Sequence, residues 1–127
     1  MQFNMPKNDL KYHWTSHVVR KMMQYALSAD RVKRVMRAPT RSEKGVAPDT
    51  IAVMQPSGSK AKPAEIWVMY AIKKSRAKNK DVAGTAMIGQ GPKKVIITAW
   101  RYPGVSPVRE AIPIPADILA ELKNIKY

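Results

Sequence analysis

Apolar residues recur at helical spacing near the start of the chain. Between Thr15 and Leu27 they fall three or four positions apart, which places them on one face of a helix. Ser28 is a suitable N-cap for a second helix, and the apolar residues between Val32 and Met36 continue the same spacing. Pro39 ends this helix, because proline disfavours helical geometry in the residue before it. The pattern predicts two short helices within residues 15–37, or one helix with a break near Ser28.

Three later segments have the composition of β-strands. They are TIAVMQ (50–55), EIWVMYAIK (65–73) and KVIITAWR (94–101). The third has little polarity on either face, which is typical of a central strand buried on both sides. The interrupting segment 73–92 is basic and then glycine-rich. It predicts a long hairpin loop, with a weak edge strand over residues 82–88 as the alternative.

The last part of the chain predicts a proline-rich turn and then a helix over residues 116–125, with Ile118, Leu119, Leu122 and Ile125 facing inward. The order of elements predicts an α+β fold. Two N-terminal helices pack on a small antiparallel β-sheet, and a C-terminal helix is added. Residues 1–13 are expected to be a flexible basic arm, and residues 14–127 a single domain.

The net charge of the chain limits the classes of partner that it is expected to bind. Its 127 residues include 23 Lys and Arg but 9 Asp and Glu, which gives a net charge of +14. Such a field favours polyanions: RNA, DNA, an acidic protein or an anionic membrane surface. The absence of cysteine excludes a disulfide framework, a zinc finger and a thiol nucleophile. No apolar run is long enough for a membrane span, and no signal peptide is visible, so we expect a soluble cytoplasmic protein without a membrane partner.

The basic residues form two clusters, one on the second helix and its connector and one in the 73–92 loop. A solvated charged face is the usual explanation of such runs, but acidic residues are scarce in both clusters. We therefore expect contacts with phosphates and salt-dependent affinity. The candidate nucleic-acid-binding residues are Arg31, Arg34, Arg37, Arg41, Lys73, Lys74, Arg76 and Lys78.

Familiar catalytic patterns are missing from the chain. The acidic residues are scattered, without glycosidase or two-metal spacing. Dinucleotide-binding and phosphate-loop motifs are absent, and no cofactor or metal is indicated. Ser16 and His17 are adjacent, and adjacent residues on a helix do not face each other, which argues against a Ser-His hydrolase.

His17 is the main candidate for proton transfer near neutral pH. On a helix it shares a polar face with Arg20, Lys21 and Gln24, opposite the apolar stripe, so we expect it outside the core. Neighbouring cations would lower its pKa, and a neutral histidine can act as a general base. The alternative is an incidental surface histidine. His13, before the helix, is a weaker candidate.

Three stretches, TSHVVRKM, VMRAP and KVIITAWRY, resemble the RelE-like and BrnT-like toxin ribonucleases. The chain looks closest to a related family of small domains that begin with Ser/Thr-x-His, two apolar residues and Arg-x-Met. Here these positions are Thr15 or Ser16, His17, Arg20 and Met22. The resemblance covers roughly residues 14–102.

The resemblance implies an antiparallel α+β fold and metal-independent cleavage of mRNA or ribosome-associated RNA. By position it makes His17 the candidate base or acid and Arg20 a phosphate clamp. It makes Arg101 a second clamp and Tyr102 a candidate acid. The implied partners are RNA, either free or in the ribosome, and an acidic antitoxin-like protein.

Two features depart from that family, namely the long 73–92 insertion and the 103–127 tail with its final helix. These two departures argue against catalytic activity more than against the implied fold. The same scaffold would serve a non-catalytic RNA- or DNA-binding protein associated with the ribosome. Sequence alone leaves both hypotheses open.

Overall fold

The computed structural model describes residues 3–73 and 93–125. In this part of the chain it has five strands and three helices, so the α+β prediction is confirmed. In chain order the elements are β1 (Tyr12–Trp14), α1 (Ser16–Tyr25), α2 (Ala29–Arg37), β2 (Arg41–Lys44), β3 (Thr50–Gly58), β4 (Pro63–Lys73), β5 (Lys93–Pro103) and α3 (Ala116–Leu122).

The strands form one sheet in the order β1-β5-β4-β3-β2. Neighbouring strands are antiparallel except β1, which runs parallel to β5 with His13 opposite Val95. The sheet is therefore mixed, where the sequence predicted a purely antiparallel one. The parallel pair is possible because the rest of the fold connects β1 to β5, and parallel neighbours need such a long connection.

The two N-terminal helices follow from local capping. Thr15 accepts a hydrogen bond from the backbone N–H of Val18 (3.1 Å), and its hydroxyl lies 3.0 Å from the carbonyl oxygens of Ile96 and Ile97. One residue thus caps α1 and joins it to β5. Ala26 ends α1 with a φ of 55°, and Ser28 caps α2. The predicted pair of helices is confirmed, with the break just before Ser28.

Both faces of the sheet are buried. On one face α1 and α2 pack through Val18, Met22 and Val32 against the sheet. On the other face α3 packs through Ile118, beside the stacked rings of Trp67 and Trp100, whose centroids are 5.9 Å apart. Burial on both sides explains why β4 and β5 carry almost continuous apolar runs.

The remaining differences from the predicted elements have local causes. β1 begins within the predicted arm and ends at Trp14; Tyr12 is buried and residues 12–14 pair with β5. β2 lies within residues 38–49, which the sequence predicted to be a turn-rich connector after the second helix. β3 continues through Pro56 to Gly58 because β2 covers only residues 51–54 of its other side. Pro56 therefore sits at an exposed edge, where a missing N–H is tolerated. The interior of the 73–92 loop and the alternative strand at 82–88 lie outside the described residues.

Candidate functional site

His17 is enclosed between α1, β5 and α3. It is 3% exposed, so the expectation that it lies on a solvated face is wrong. Its Nε2 is 2.9 Å from Oγ1 of Thr98, and its Nδ1 is 3.1 Å from Oε2 of Glu121. The first contact is a hydrogen bond. The second is short enough for an ion pair when His17 is protonated, but its geometry is not that of a hydrogen bond. On the predicted polar face of α1, helix α3 covers His17 and Lys21, whereas Arg20 and Gln24 stay exposed.

Lys21 lies one turn further along the same face. Its Nζ donates to Oδ2 of Asp117 (2.8 Å), to Oε1 of Glu121 (3.1 Å) and to Oε1 of Gln24 (3.1 Å). The two carboxylates belong to α3, 96 and 100 residues further along the chain. The polar face of α1 is therefore an internal interface, stabilised by charges that sequence proximity could not reveal.

Burial lowers the pKa of His17 below its ordinary value of 6.5. The negative charge of Glu121 opposes this shift, and the positive charges of Lys21 and Arg20 add to it. Burial would also lower the pKa of Lys21, but hydrogen bonds to Asp117 and Glu121 outweigh it and raise that pKa. His17 is thus neutral near pH 7 and Lys21 is charged.

A cleft of about 300 Å³ opens beside this network. It brings His17 together with Arg20, as the sequence predicted, and it adds His13 from β1 and Ser16 from the start of α1. Asn124 and Ile125, which follow α3, form another wall. Its volume is at the lower end of ordinary ligand sites. His13 joins His17 here because β1 leads directly into α1, a relationship that the sequence pattern did not show.

Arg101 and Tyr102 do not line this cleft. Arg101 donates from Nη2 to the carbonyl oxygen of Tyr25 (3.2 Å) and from Nη1 to Oγ of Ser57 (3.4 Å). Tyr25 lies about 12 Å along α1 from His17. Tyr102 packs with the core on the α3 side of the sheet. The structure therefore divides the four candidate catalytic residues among three places.

Arg101 instead belongs to an arginine cluster with Arg31 and Arg34. Arg31 donates from Nη2 to the carbonyl oxygen of Pro56 (3.3 Å), and Arg34 is exposed. Burial, and then the positive charges of Arg34 and Arg101, lower the pKa of Arg31. The ion pairs between described residues involve other cations, so no carboxylate is bound to this cluster. Two predicted nucleic-acid-binding residues and one predicted phosphate clamp thus form one group.

Arg41 has a structural position that the sequence did not reveal. It donates to Oε2 of Glu43 (2.7 Å) and to Oγ of Ser106 (2.8 Å), and its guanidinium lies 5.1 Å from the ring centroid of Trp67. Further bonds reach the carbonyl oxygens of residues 108 and 110. Its donors hold the segment before α3 against the sheet, which gives Arg41 a structural role. Its predicted contact with nucleic acid stays a prediction.

Other lysines gather where β4 ends and β5 begins. Lys73 lies opposite Lys93 in the sheet, and Lys94 lies over the ring of Tyr70. Lys33 of α2 lies over the ring of Tyr12, 5.3 Å from its centroid. We call Lys33, Lys73, Lys93 and Lys94 the lysine end. Only Lys73 was among the candidate contacts. Strand register brings Lys93 and Lys94 to it, and the position of α2 over Tyr12 adds Lys33.

The remaining predicted basic residues are distributed as follows. Arg37 is exposed at the end of α2. Lys74, Arg76 and Lys78 lie outside the described residues.

Most carboxylates of the described chain are engaged internally. Glu65 is buried and bonded to Ser106 and Trp67, while Glu43, Asp117 and Glu121 bind the cations named above. Asp9 accepts hydrogen bonds from backbone N–H groups. The surface arginines and lysines therefore have few negative neighbours, and the excess positive charge is presented to the solvent.

Residues 3–73 and 93–125 hold no group of three His, Asp or Glu side chains placed to bind a metal ion. None of the described helices has both the length and the apolar composition to cross a membrane. Comparisons of the chain with protein-family models, with curated proteins and with solved structures gave no match.

Proposed function

We propose that this protein binds RNA through the arginine cluster. The observation that carries the proposal is the grouping of Arg31, Arg34 and Arg101 without a bound carboxylate in the described chain. Three like charges repel one another, and the hydrogen bonds to Pro56 and Tyr25 hold two of them in place. A phosphate group relieves this repulsion, and the guanidinium fork matches its oxygens.

The lysine end extends the surface available to a polyanion. Helix α2 contributes Arg31 and Arg34 to the arginine cluster and Lys33 to the lysine end, so it joins the two regions. Side chains of the arginine cluster and of the lysine end would contact successive phosphates of one RNA strand. Such binding depends mainly on charge and needs no catalytic group.

The test measures the affinity for a labelled single-stranded RNA of about twenty nucleotides at several salt concentrations. The variant Arg31→Gln/Arg34→Gln/Arg101→Gln is compared with Lys7→Gln/Lys44→Gln/Arg109→Gln, which loses the same charge from exposed residues elsewhere. We expect the first variant to lose at least tenfold in affinity. We also expect its salt slope to fall by about 2, as three lost contacts with single-stranded phosphates predict.

Equal losses in the two variants would show that only the net charge matters and would remove the arginine cluster from the proposal. Absence of RNA binding by the wild type would remove the proposed function itself. Arg34→Gln serves as a second variant, because Arg34 is exposed and its replacement should leave the fold intact. Circular dichroism of each variant checks the fold.

A second candidate function, RNA cleavage, is favoured by the cleft that holds His13, His17 and Arg20. In metal-independent cleavage the ribose 2′-OH attacks the neighbouring phosphate while a base removes its proton. A cation stabilises the phosphorane, and an acid protonates the leaving 5′-oxygen. Both ring nitrogens of His17 face protein partners, whereas His13 is half-exposed. His13 is thus better placed for proton transfer, with Arg20 as the phosphate clamp.

This candidate is tested by incubating the same RNA with wild type, His13→Ala and Arg20→Gln in the presence of EDTA. Cleavage by wild type that both substitutions reduce at least a hundredfold would support it. If wild type leaves the RNA intact, or if the His13→Ala variant cuts as fast, cleavage at this cleft is ruled out.

A further inference from the structure

The charged side chains between α1 and α3 contact one another. Nζ of Lys21 is bound to Asp117 and to one oxygen of Glu121, while the other oxygen of Glu121 approaches Nδ1 of His17. The Lys21 side chain is 7% exposed, but the two carboxylate side chains are 49% and 40% exposed. Asp117 and Glu121 therefore cover the Lys21 amine on its solvent side.

Helix α3 depends on its contacts for its structure. It has seven residues, whereas an isolated helix needs about 12–15 residues to be even marginally stable in water. Its fully buried anchor is Ile118, and Leu122 and Ile125 pack partly buried against the same core. Leu119, which the sequence predicted to face inward, is exposed. The N-cap is Pro115, which provides no side-chain hydrogen bond. The bonds from Lys21 therefore add to these apolar contacts in holding α3 in place.

Three carboxylate oxygens lie against two nitrogens of α1, the charged Nζ of Lys21 and Nδ1 of His17. Oxygens of a phosphate group would meet the Lys21 amine in the same way. Arg20 is exposed on the same side and lines the adjoining cleft together with His17. Residues Asn124 and Ile125, just after α3, form the opposite wall of that cleft. Movement of α3 would open both the cleft and the Lys21 amine to solvent.

We propose that His17, Lys21 and Arg20 form a second phosphate-binding site, which Asp117 and Glu121 of α3 occupy in the free protein. A phosphate group of bound RNA takes the place of the two carboxylates, and α3 leaves its position. This inference rests on the proposed RNA binding, and it adds a covered site that opens during binding.

The first experiment removes the two negative charges while keeping the side-chain shapes. Asp117→Asn/Glu121→Gln is compared with Asp49→Asn/Glu110→Gln, which raises the net charge equally at exposed residues away from α3. We expect the first variant to bind the labelled RNA at least tenfold more tightly than the second. Addition of Lys21→Gln to the first variant should abolish that gain. Equal affinities of the two double variants would overturn the inference.

The second experiment uses the unaltered protein, so it does not depend on how the variants fold. Hydrogen exchange of backbone amides is measured with and without the RNA, and with inorganic pyrophosphate in a third sample. We expect the amides of 118–122 to lose protection at least fivefold with RNA, while those of 18–22 in α1 keep it. The same loss with pyrophosphate would show that phosphate groups alone displace α3. Unchanged or increased protection with RNA would overturn the inference.

The two proposals fail in different ways. RNA binding that depends on the arginine cluster but leaves α3 protected would refute only the covered site. A wild-type protein that binds no RNA would refute both.

Discussion

Arg101 donates a hydrogen bond of 3.2 Å to the carbonyl oxygen of Tyr25, the last residue of α1. The free carbonyls at a helix C-terminus carry partial negative charge, so a guanidinium is favourable there. The other end of the same helix holds His17 and Arg20 at the cleft. One helix therefore contributes to two separate basic sites, and the strand residue Arg101 belongs to the one far from the histidines.

Replacement of Arg101 tests how much this bond stabilises α1. We expect Arg101→Ala to lower the free energy of unfolding by about 1–2 kcal/mol, since a hydrogen bond to a charged group contributes about 1.5–3 kcal/mol and this side chain is partly exposed. Urea denaturation measures the change. Arg109→Ala, at an exposed loop position, is the control, and a loss as large in the control would contradict the assignment.

The sequence predicted the elements whose signals are local. Helices α1 and α2 follow from apolar spacing and from the caps Thr15 and Ser28, and β4 and β5 follow from long β-branched and aromatic runs. In contrast, β1 has three residues, and pairing with β5 is what makes it a strand. Short edge strands have too few side chains to be distinguished from loops by pattern alone.

The sites were harder to predict because their partners are distant in sequence. The spacing of His17 and Lys21 correctly placed them on one polar face of α1, but burial of that face depends on Asp117 and Glu121 of α3. Arg101 was predicted to be an anion contact near the end of a strand, and this stays a prediction. Its neighbours are determined by the packing of α2, which local spacing does not specify.

Arg41 gives a direct test of one predicted nucleic-acid contact. Its donors hold the segment before α3, so we expect Arg41→Gln to lower the free energy of unfolding by about 1–3 kcal/mol. Its RNA affinity should fall no further than that of Lys44→Gln, which removes one exposed charge from the same strand. Urea denaturation and RNA titration measure the two quantities. A variant of unchanged stability with markedly weaker binding would return Arg41 to the nucleic-acid contacts.

Glu65 should be among the most important polar residues for stability. Its carboxylate is buried and accepts from Nε1 of Trp67 (3.0 Å) and from the N–H (3.0 Å) and hydroxyl (2.6 Å) of Ser106. Glu65→Ala leaves these donors without a partner, and we expect a loss of about 3 kcal/mol. Thermal and urea unfolding measure it, with the exposed Glu110→Ala as the control. A loss below about 1 kcal/mol would mean that water replaces the carboxylate.

The enclosed imidazole of His17 should make the protein lose stability as the pH falls below 6.5, the ordinary pKa of histidine. Burial lowers its pKa in the folded protein, although Glu121 opposes the shift and Lys21 and Arg20 add to it. Below the unfolded pKa of 6.5 the unfolded chain then binds more protons than the folded one. The contribution of neutral His17 is complete above that pH and is lost as the pH falls through the lower, folded pKa.

The carboxyl groups of Asp117 and Glu121 also face this network, but their own pKa values are lowered from 3.8 and 4.5, so they stay ionised in this range. Urea denaturation at pH 7.5, 6.5, 5.5 and 5.0 should therefore show a steeper loss of stability in wild type than in His17→Gln. The Gln variant keeps a polar side chain near Thr98 and retains His13, so the difference between the two curves isolates the buried imidazole. Parallel curves would mean that His17 has the same pKa in the folded and unfolded chain. Its enclosure between β5 and α3 would then be looser than the 2.9 Å bond to Thr98 and the 3.1 Å approach of Glu121 indicate.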